Sequence, residues 1–207
     1  NAHRGGYGVL TATQIIQESS NVGISDIIYK HYKDNPGRFV DKIYAMKLNE
    51  GIDFLIPESG KPRIPHPKEN KSWSKLSLPW MSIGNEVRIP PIYTLMFYNA
   101  IANNGEMVKP RLVRNISENG TVVKSFEREV LNPAICSEAT LRKIKPMLEA
   151  VVEKGTAKDV KTTKFPIAGK TGTAQILGRG GVEGHQVSFC GYFPADNPQY
   201  SCIVVVR

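Results

Sequence analysis

No run of about 18 apolar residues occurs anywhere in the chain, so no segment has the composition of a membrane-spanning helix. No charged, apolar and small-residue pattern opens it, as a secretory leader would. Cysteine is scarce: Cys136, Cys190 and Cys202 are too few for a disulfide framework and have no C-x-x-C spacing. His3, His31, His66 and His185 have no histidine four positions on, so a metal site lacks its usual helical ligand pair. Dense charge is missing too. Lys and Arg outnumber Asp and Glu by 27 to 19, a net charge of +8, but the cations are spread out and no aromatic ladder interleaves them. That distribution reads as a solvated basic surface rather than a nucleic-acid footprint. There is no internal repeat and no low-complexity tract.

What is present is the composition of a globular domain, 41% hydrophobic and 22% charged over 207 residues, enough for one core. The first residue is Asn1 rather than Met, and the closing "SCIVVVR" reads as a strand cut at its end, so the expectation is part of a longer protein.

Thr11 and Gln14 form a capping-box pattern at the head of a short helix that turns Ile15 and Ile16 inward and breaks near "SSN". A second helix is expected from Ser25 to about Lys33, with Ile27, Ile28 and Tyr32 on one face. A third starts at Pro36, carries Phe39, Ile43 and Met46, and is capped by Gly51. From Gly51 to Pro91 the chain becomes rich in proline, with Pro57, Pro62, Pro65, Pro67 and Pro79 among lysines and serines. This stretch reads as a long irregular excursion, either a functional lid or a surface wrap pinned by Trp73 and Trp80.

"PPIYTLMFYNAIANNG" predicts a helix with Ile92, Leu95, Met96 and Ile101 inward and Gly105 past its end. Strands follow near 111–116 and 121–126, joined by a turn at Asn119 and Gly120. Ser137 caps another helix, with Leu141, Ile144, Leu148, Val151 and Val152 inward, Pro146 bending it and Gly155 closing it. Three strands end the chain: "IAGKTGTAQIL", "HQVSFCGYF" and "YSCIVVV". "GRGGVEG" reads as a flexible turn, and "PADNPQ" as a hairpin loop that brings Cys190 near Cys202 as packed thiols rather than a bond. Helices around consecutive antiparallel strands predict an α+β fold.

The first of these strands carries Lys170, Thr171, Gly172 and Thr173 where apolar residues belong. A phosphate-binding P-loop would need a glycine five positions before Gly169, where Lys164 stands, and a helix afterwards, where a strand continues. An exposed, aggregation-blocking edge charge is the plainest alternative. The remaining reading is the K-T-G element of penicillin-recognising serine acyltransferases, which works with S-x-N and S-x-x-K. A random order of this composition gives roughly 0.07 K-T-G triplets, roughly 0.8 S-x-N and roughly one S-x-x-K, so only the first is informative alone. S-x-N occurs at Ser19 to Asn21 and at Ser117 to Asn119. S-x-x-K occurs at Ser72 to Lys75, inside the proline-rich stretch, whereas the nucleophile of this chemistry needs a helix N-terminus at the floor of a cleft; Ser72 is therefore set aside.

The ordered set of segments "SSNVGIS", "WMSIGNEVRIPPIYTLMFYNAIANNGEMVKPRLV", "VVEKGTAKDV", "IAGKTGTAQ" and "SFCGYFPADNPQYSCIVVV" resembles the transpeptidase domain of class B penicillin-binding proteins, the D,D-transpeptidases that cross-link peptidoglycan. The resemblance covers nearly the whole chain. It implies a β-lactamase/transpeptidase-like α+β fold, an antiparallel sheet flanked by helices and incomplete at both ends, with residues 1–207 the C-terminal portion of the domain. The family's S-x-x-K precedes its S-x-N, and no such motif lies in the 18 residues before Ser19, so the fragment is expected to lack its nucleophile and to be inactive alone.

The resemblance further implies roles for particular residues. Ser19 would relay a proton to the leaving amine, and Asn21 would bind the substrate's peptide group and the nucleophile's lysine. Ser20 would shape the turn. Lys170 would face the substrate's terminal carboxylate, with the hydroxyls of Thr171 and Thr173 beside it and the Thr173 N–H as an oxyanion donor. Gly172 would let an extended peptide lie along the strand edge. No cofactor and no metal is implied. The implied ligands are peptidoglycan stem peptides and β-lactam antibiotics, and the implied partners are cell-wall synthesis proteins such as a glycosyltransferase, serving division or elongation. The implied location is the extracytoplasmic face of a bacterial inner membrane, with an anchor outside this chain. A penicillin sensor that acylates without turnover and a basic nucleic-acid-binding module are the alternatives.

Overall fold

A computed structural model describes residues 6–53, 60–178 and 180–207. Pro57 and Arg179 of the sequence analysis lie outside the described residues. Helix α1 (Ala12–Gln17) begins with the expected capping box: Thr11 accepts from the Gln14 N–H while the Gln14 side chain accepts from the Thr11 N–H at 2.9 Å. Helix α2 (Asn21–Tyr32) starts four residues earlier than expected. Ser20 caps it, its hydroxyl accepting from the Gly23 N–H at 3.2 Å, which leaves almost no linker after α1.

Helix α3 (Gly37–Ala45) stops well before Gly51; the left-handed turn that ends it is made by Lys47, at φ 63°. The stretch after it is not wholly irregular. It contains helix α4 (Ser77–Ser82), and Arg63 and Arg88 pair as an isolated antiparallel bridge. Trp73 packs against a small core of Val40, Ile64 and Met81, whereas Trp80 is 50% exposed and joins none of the core clusters among the described residues.

Helix α5 (Pro91–Ala102) buries Tyr93, Met96, Ala100, Ile101 and Ala102, with Ile92 and Leu95 only half-buried; it is apolar nearly all round, so the sequence stripe did not decide its inner face. Strands β1 (Met107–Val108) and β4 (Val130–Asn132) form a short unforeseen pair. Between them stands a hairpin of β2 (Asn115–Glu118) and β3 (Thr121–Ser125), turned by Asn119 at φ 49° and Gly120 at φ 81°.

Helix α6 (Glu138–Lys154) is capped by Ser137 and closed by Gly155, and it keeps Pro146 inside. The main sheet has the order β5-β6-β7, all antiparallel, from β5 (Ala168–Gly178), β6 (Gly181–Phe193) and β7 (Tyr200–Val206). The "GRGGVEG" stretch is therefore mostly strand, with Gly178 paired to Gly181. Gly191 pairs with Cys202 and Cys190 with Ile203, and all three cysteines are free thiols.

The core joins α5, α6 and the base of the sheet: Tyr93, Met96 and Ile101 meet Leu141, Leu148, Ala168 and Tyr192. A second cluster, of Val151, Val152 and Ala157 with Ile16, Ile167 and Phe189, sets α1 against the end of α6 and the base of β5 and β6. Fully burying one such aliphatic side chain stabilises by about 1.5–3 kcal/mol, so this small cluster can hold two distant segments in register.

Candidate functional site

Two segments about 150 positions apart meet at the end of α6. The first is the bend after α1. Ser19 takes a left-handed φ of 53°, which lets Ser20 return its N–H to the Ile15 carbonyl at 2.9 Å and cap the next helix at once. Asn21 is thus the first residue of α2 and is exposed. The crossing is tight: a Cβ on Gly23 would lie 2.7 Å from the Ile15 side chain.

The second segment is the first half of β5. Ala168 and Gly169 are buried, Lys170 and Thr171 are half-buried, and Gly172 and Thr173 are exposed, so the strand climbs out of the core through the K-T-G triplet. β5 pairs with β6 on one side only. Among the described residues its other edge carries no strand. A Cβ on Gly172 would lie 2.7 Å from Ser188 Oγ, its cross-strand partner, a contact that rotation of the serine side chain relieves.

The Lys170 ammonium donates to the Thr171 carbonyl at 3.0 Å and to Thr171 Oγ1 at 3.3 Å. No carboxylate lies within ion-pair distance of it among the described residues. Burial lowers its pKa from the ordinary lysine range to about 8, because desolvation disfavours the charged form. A half-buried cation without a counter-ion, beside a free strand edge, is suited to an anionic group at the end of an extended peptide.

The link between the two segments is the turn after α6. Gly155 lies so close to α1 that a Cβ there would be 2.4 Å from the Gln17 carbonyl. That carbonyl accepts from the Thr156 N–H at 3.2 Å, and the Gln17 amide reaches Lys154 O at 3.5 Å. The Thr156 hydroxyl in turn lies 2.8 Å from Thr171 Oγ1. The chain of contacts therefore runs from the residue two before Ser19, through Thr156, to the residue beside Lys170. Gly155 and Thr156 were treated in the sequence only as a helix end; the Gly-Thr pair straight after a long amphipathic helix was the available signal.

The other candidates fall elsewhere. Ser117 and Asn119 sit on the exposed β2–β3 hairpin. Ser72 is exposed in a turn, its N–H donating to Asn70 Oδ1, and α4 begins five residues later. After Thr171 the chain continues as strand, which leaves no helix for a P-loop. Two cavities, of about 160 and 350 Å³, lie beside Lys109, Pro110 and Arg111 rather than at β5.

The whole chain, residues 1–207, matches the penicillin binding protein transpeptidase domain. The chain belongs to that family. Among curated transpeptidase-family relatives, stage V sporulation protein D of Bacillus subtilis is 28% identical over 98% of this chain and 31% of its own length. The probable peptidoglycan D,D-transpeptidase PbpC of Pseudomonas aeruginosa is 26% identical over 96% of this chain and 33% of its own. The D,D-transpeptidase domain of a peptidoglycan glycosyltransferase from Eggerthella lenta superposes with a TM-score of 0.78 at 26% identity, covering 97% of this chain and 48% of that one. Penicillin-binding protein 3 of Mycobacterium tuberculosis, in complex with aztreonam, gives 0.80 at 26% identity over 94% and 44%. The α+β fold and the class B resemblance drawn from the motifs are thereby borne out. This transpeptidase-domain chain spans about a third of the length of these curated relatives and just under half of the solved chains.

Proposed function

We propose that the Ser19–Asn21 bend and the β5 edge form one side of the site of a serine-type D-Ala-D-Ala transpeptidase that cross-links peptidoglycan stem peptides and is acylated by β-lactams. The observation that carries this reading is the half-buried Lys170, without a carboxylate partner among the described residues, on a strand edge tied through Thr156 to the Ser19 bend. The nucleophilic serine is placed in the part of the protein that the relatives have and this chain does not span. Residues 1–207 alone are then inactive. Two features support that placement: Ser72 is exposed and remote from a helix start, and the chain covers about a third of its relatives.

In the reaction the serine oxygen attacks the penultimate D-alanine carbonyl. The peptide C–N bond breaks, an ester forms, and the terminal D-alanine leaves after its nitrogen takes a proton relayed by Ser19. An amine of a second stem then attacks the ester, the new peptide bond forms as the ester C–O bond breaks, and a proton from that amine passes to the serine oxygen. Asn21 donates and accepts at the substrate's peptide group and the nucleophile's lysine. Lys170 and the hydroxyls of Thr171 and Thr173 hold the terminal carboxylate, and the Thr173 N–H is one oxyanion donor. An extended stem peptide lies along the free edge past Gly172. The substrate places the enzyme outside the cytoplasmic membrane, among cell-wall synthesis proteins including a glycosyltransferase.

Fluorescent penicillin labelling of the full-length protein tests the reading. The wild type is expected to form a covalent adduct and Lys170→Ala to form it about 100- to 1,000-fold more slowly. A wild type that takes no label, or a Lys170→Ala protein that labels at the wild-type rate, would sink the reading.

A further inference from the structure

Thr156 belongs to none of the motifs that carry the chemistry, yet it touches both halves of the site. Its N–H donates to the carbonyl of Gln17, and its hydroxyl lies 2.8 Å from Thr171 Oγ1. The residue is held firmly on both sides. Gly155 has no room for a Cβ against Gln17, and Ala157 is 3% exposed, with its N–H on the Val151 carbonyl at 3.1 Å.

We propose that Thr156 is a positioning residue for carboxylate recognition, its hydroxyl donating to Thr171 Oγ1 and turning the Thr171 proton outward to the ligand. The inference rests on the transpeptidase reading above. It follows from hydrogen-bond accounting at a single oxygen. A threonine hydroxyl has one proton and two acceptor sites. At Thr171 one acceptor site is taken by the Lys170 ammonium at 3.3 Å. When Thr156 donates into the other, the Thr171 proton is left over for a ligand at the free strand edge. When Thr171 instead donates to Thr156, that proton is spent inside the protein and the ligand loses a donor. An anion at the edge selects the first arrangement, and the chain from Thr156 through Thr171 to the carboxylate is polarised in one sense, so each bond strengthens the next. The Thr156 N–H sets the second feature: it fixes the end of α1 two residues before Ser19, so the same residue holds the proton-relay bend and the carboxylate donor at a set separation.

The test pairs a residue with a ligand group, using the full-length protein. Acylation rates are measured for a penicillin and for its methyl ester, which removes the carboxylate charge. Thr156→Val is expected to slow acylation by the acid roughly fivefold to tenfold, as for loss of one hydrogen bond in a charge-assisted chain, and by the ester less than about twofold. Thr156→Ser restores the hydroxyl and is expected to stay within about twofold of wild type on both reagents. Equal losses on acid and ester, no loss on the acid, or a serine variant as slow as valine would each overturn the proposal. If Thr156→Val does not accumulate as folded protein, Thr156→Ala supplies the same acid-to-ester comparison, because a packing defect slows both reagents alike. A wild type that takes no penicillin defeats the transpeptidase reading itself. A labelled wild type matched by Thr156→Val defeats only the present inference.

Discussion

Two antiparallel hairpins of the chain, β2–β3 and β5–β6, have opposite surroundings. In β2–β3 every strand residue is exposed, including Ile116, Val122 and Val123, and the Asn119-Gly120 turn alone decides the register. In β5–β6 the tip is exposed, but the base is driven into the core by α5 and α6: Ala168, Cys190, Gly191 and Tyr192 are all buried. The difference lies in what the base does to charge. Burial pushes the Cys190 thiol up to about 12 and draws the neighbouring Lys170 ammonium down to about 8, one cause acting with opposite signs on an acid and a base. A hairpin made only by its turn places side chains in water. A hairpin anchored in a core can hold a cation part-way out of it.

That contrast predicts a pH limb. Lys170 has to be cationic to hold a carboxylate, its charge is essentially complete below about pH 7, and it is lost as the pH rises through about 8. Acylation of the full-length protein by a carboxylate-bearing penicillin is expected to fall about tenfold per pH unit above 8, reaching about a hundredfold at pH 10, while the methyl ester shows no such limb. A parallel decline for both reagents would remove Lys170 as the titrating group and with it the electrostatic half of the comparison.

Packing provides a smaller effect. A Cβ on Gly191 would lie 2.4 Å from the Ala168 carbonyl and 3.0 Å from the Phe189 ring, so Gly191→Ala has to move backbone at the base. Unfolding in urea is expected to show a loss of about 2 kcal/mol, and acylation should fall with it. Val123→Ala, a larger chemical change on the exposed hairpin, is expected to stay within about 0.5 kcal/mol. Equal costs at the two sites would mean that the sheet base is free to relax.

The sequence was most informative where the determinants are local. The Thr11–Gln14 box, the Ser137 cap, the Asn119-Gly120 turn and the last strand, Tyr200–Val206, all stand where short-range chemistry put them. It failed where local signals compete or where a distant partner decides. α2 begins at Asn21 because Ser20 caps it, yet serine pairs before polar residues are ordinary loop sequence. Gly51 looked like a cap, but Lys47 accepted the left-handed turn first. The inner face of α5 was ambiguous because nearly every face is apolar. The triplet marked Lys170 to Thr173 as candidates, whereas Thr156 was marked only by the Gly-Thr pair that ends a helix. The role proposed for it rests on a contact to Thr171, 15 positions on, and another to Gln17, 139 positions back, and neither distance is encoded in a local pattern.

The smallest expected effect on acylation tests whether β2–β3 is as independent as its exposure suggests. Gly120 adopts φ 81° and has no atom within 4 Å of where a Cβ would stand, so alanine there meets conformational strain and nothing else. Gly120→Ala is expected to cost about 1 kcal/mol in urea unfolding, the penalty of a left-handed alanine. Penicillin acylation of the full-length protein should stay within about twofold of wild type, because among the described residues no core residue joins this hairpin to β5. If acylation falls several-fold instead, the exposed hairpin must bear on the site through a route that its own packing does not provide, and the division between a hairpin set by its turn and a hairpin set by its core would have to be redrawn.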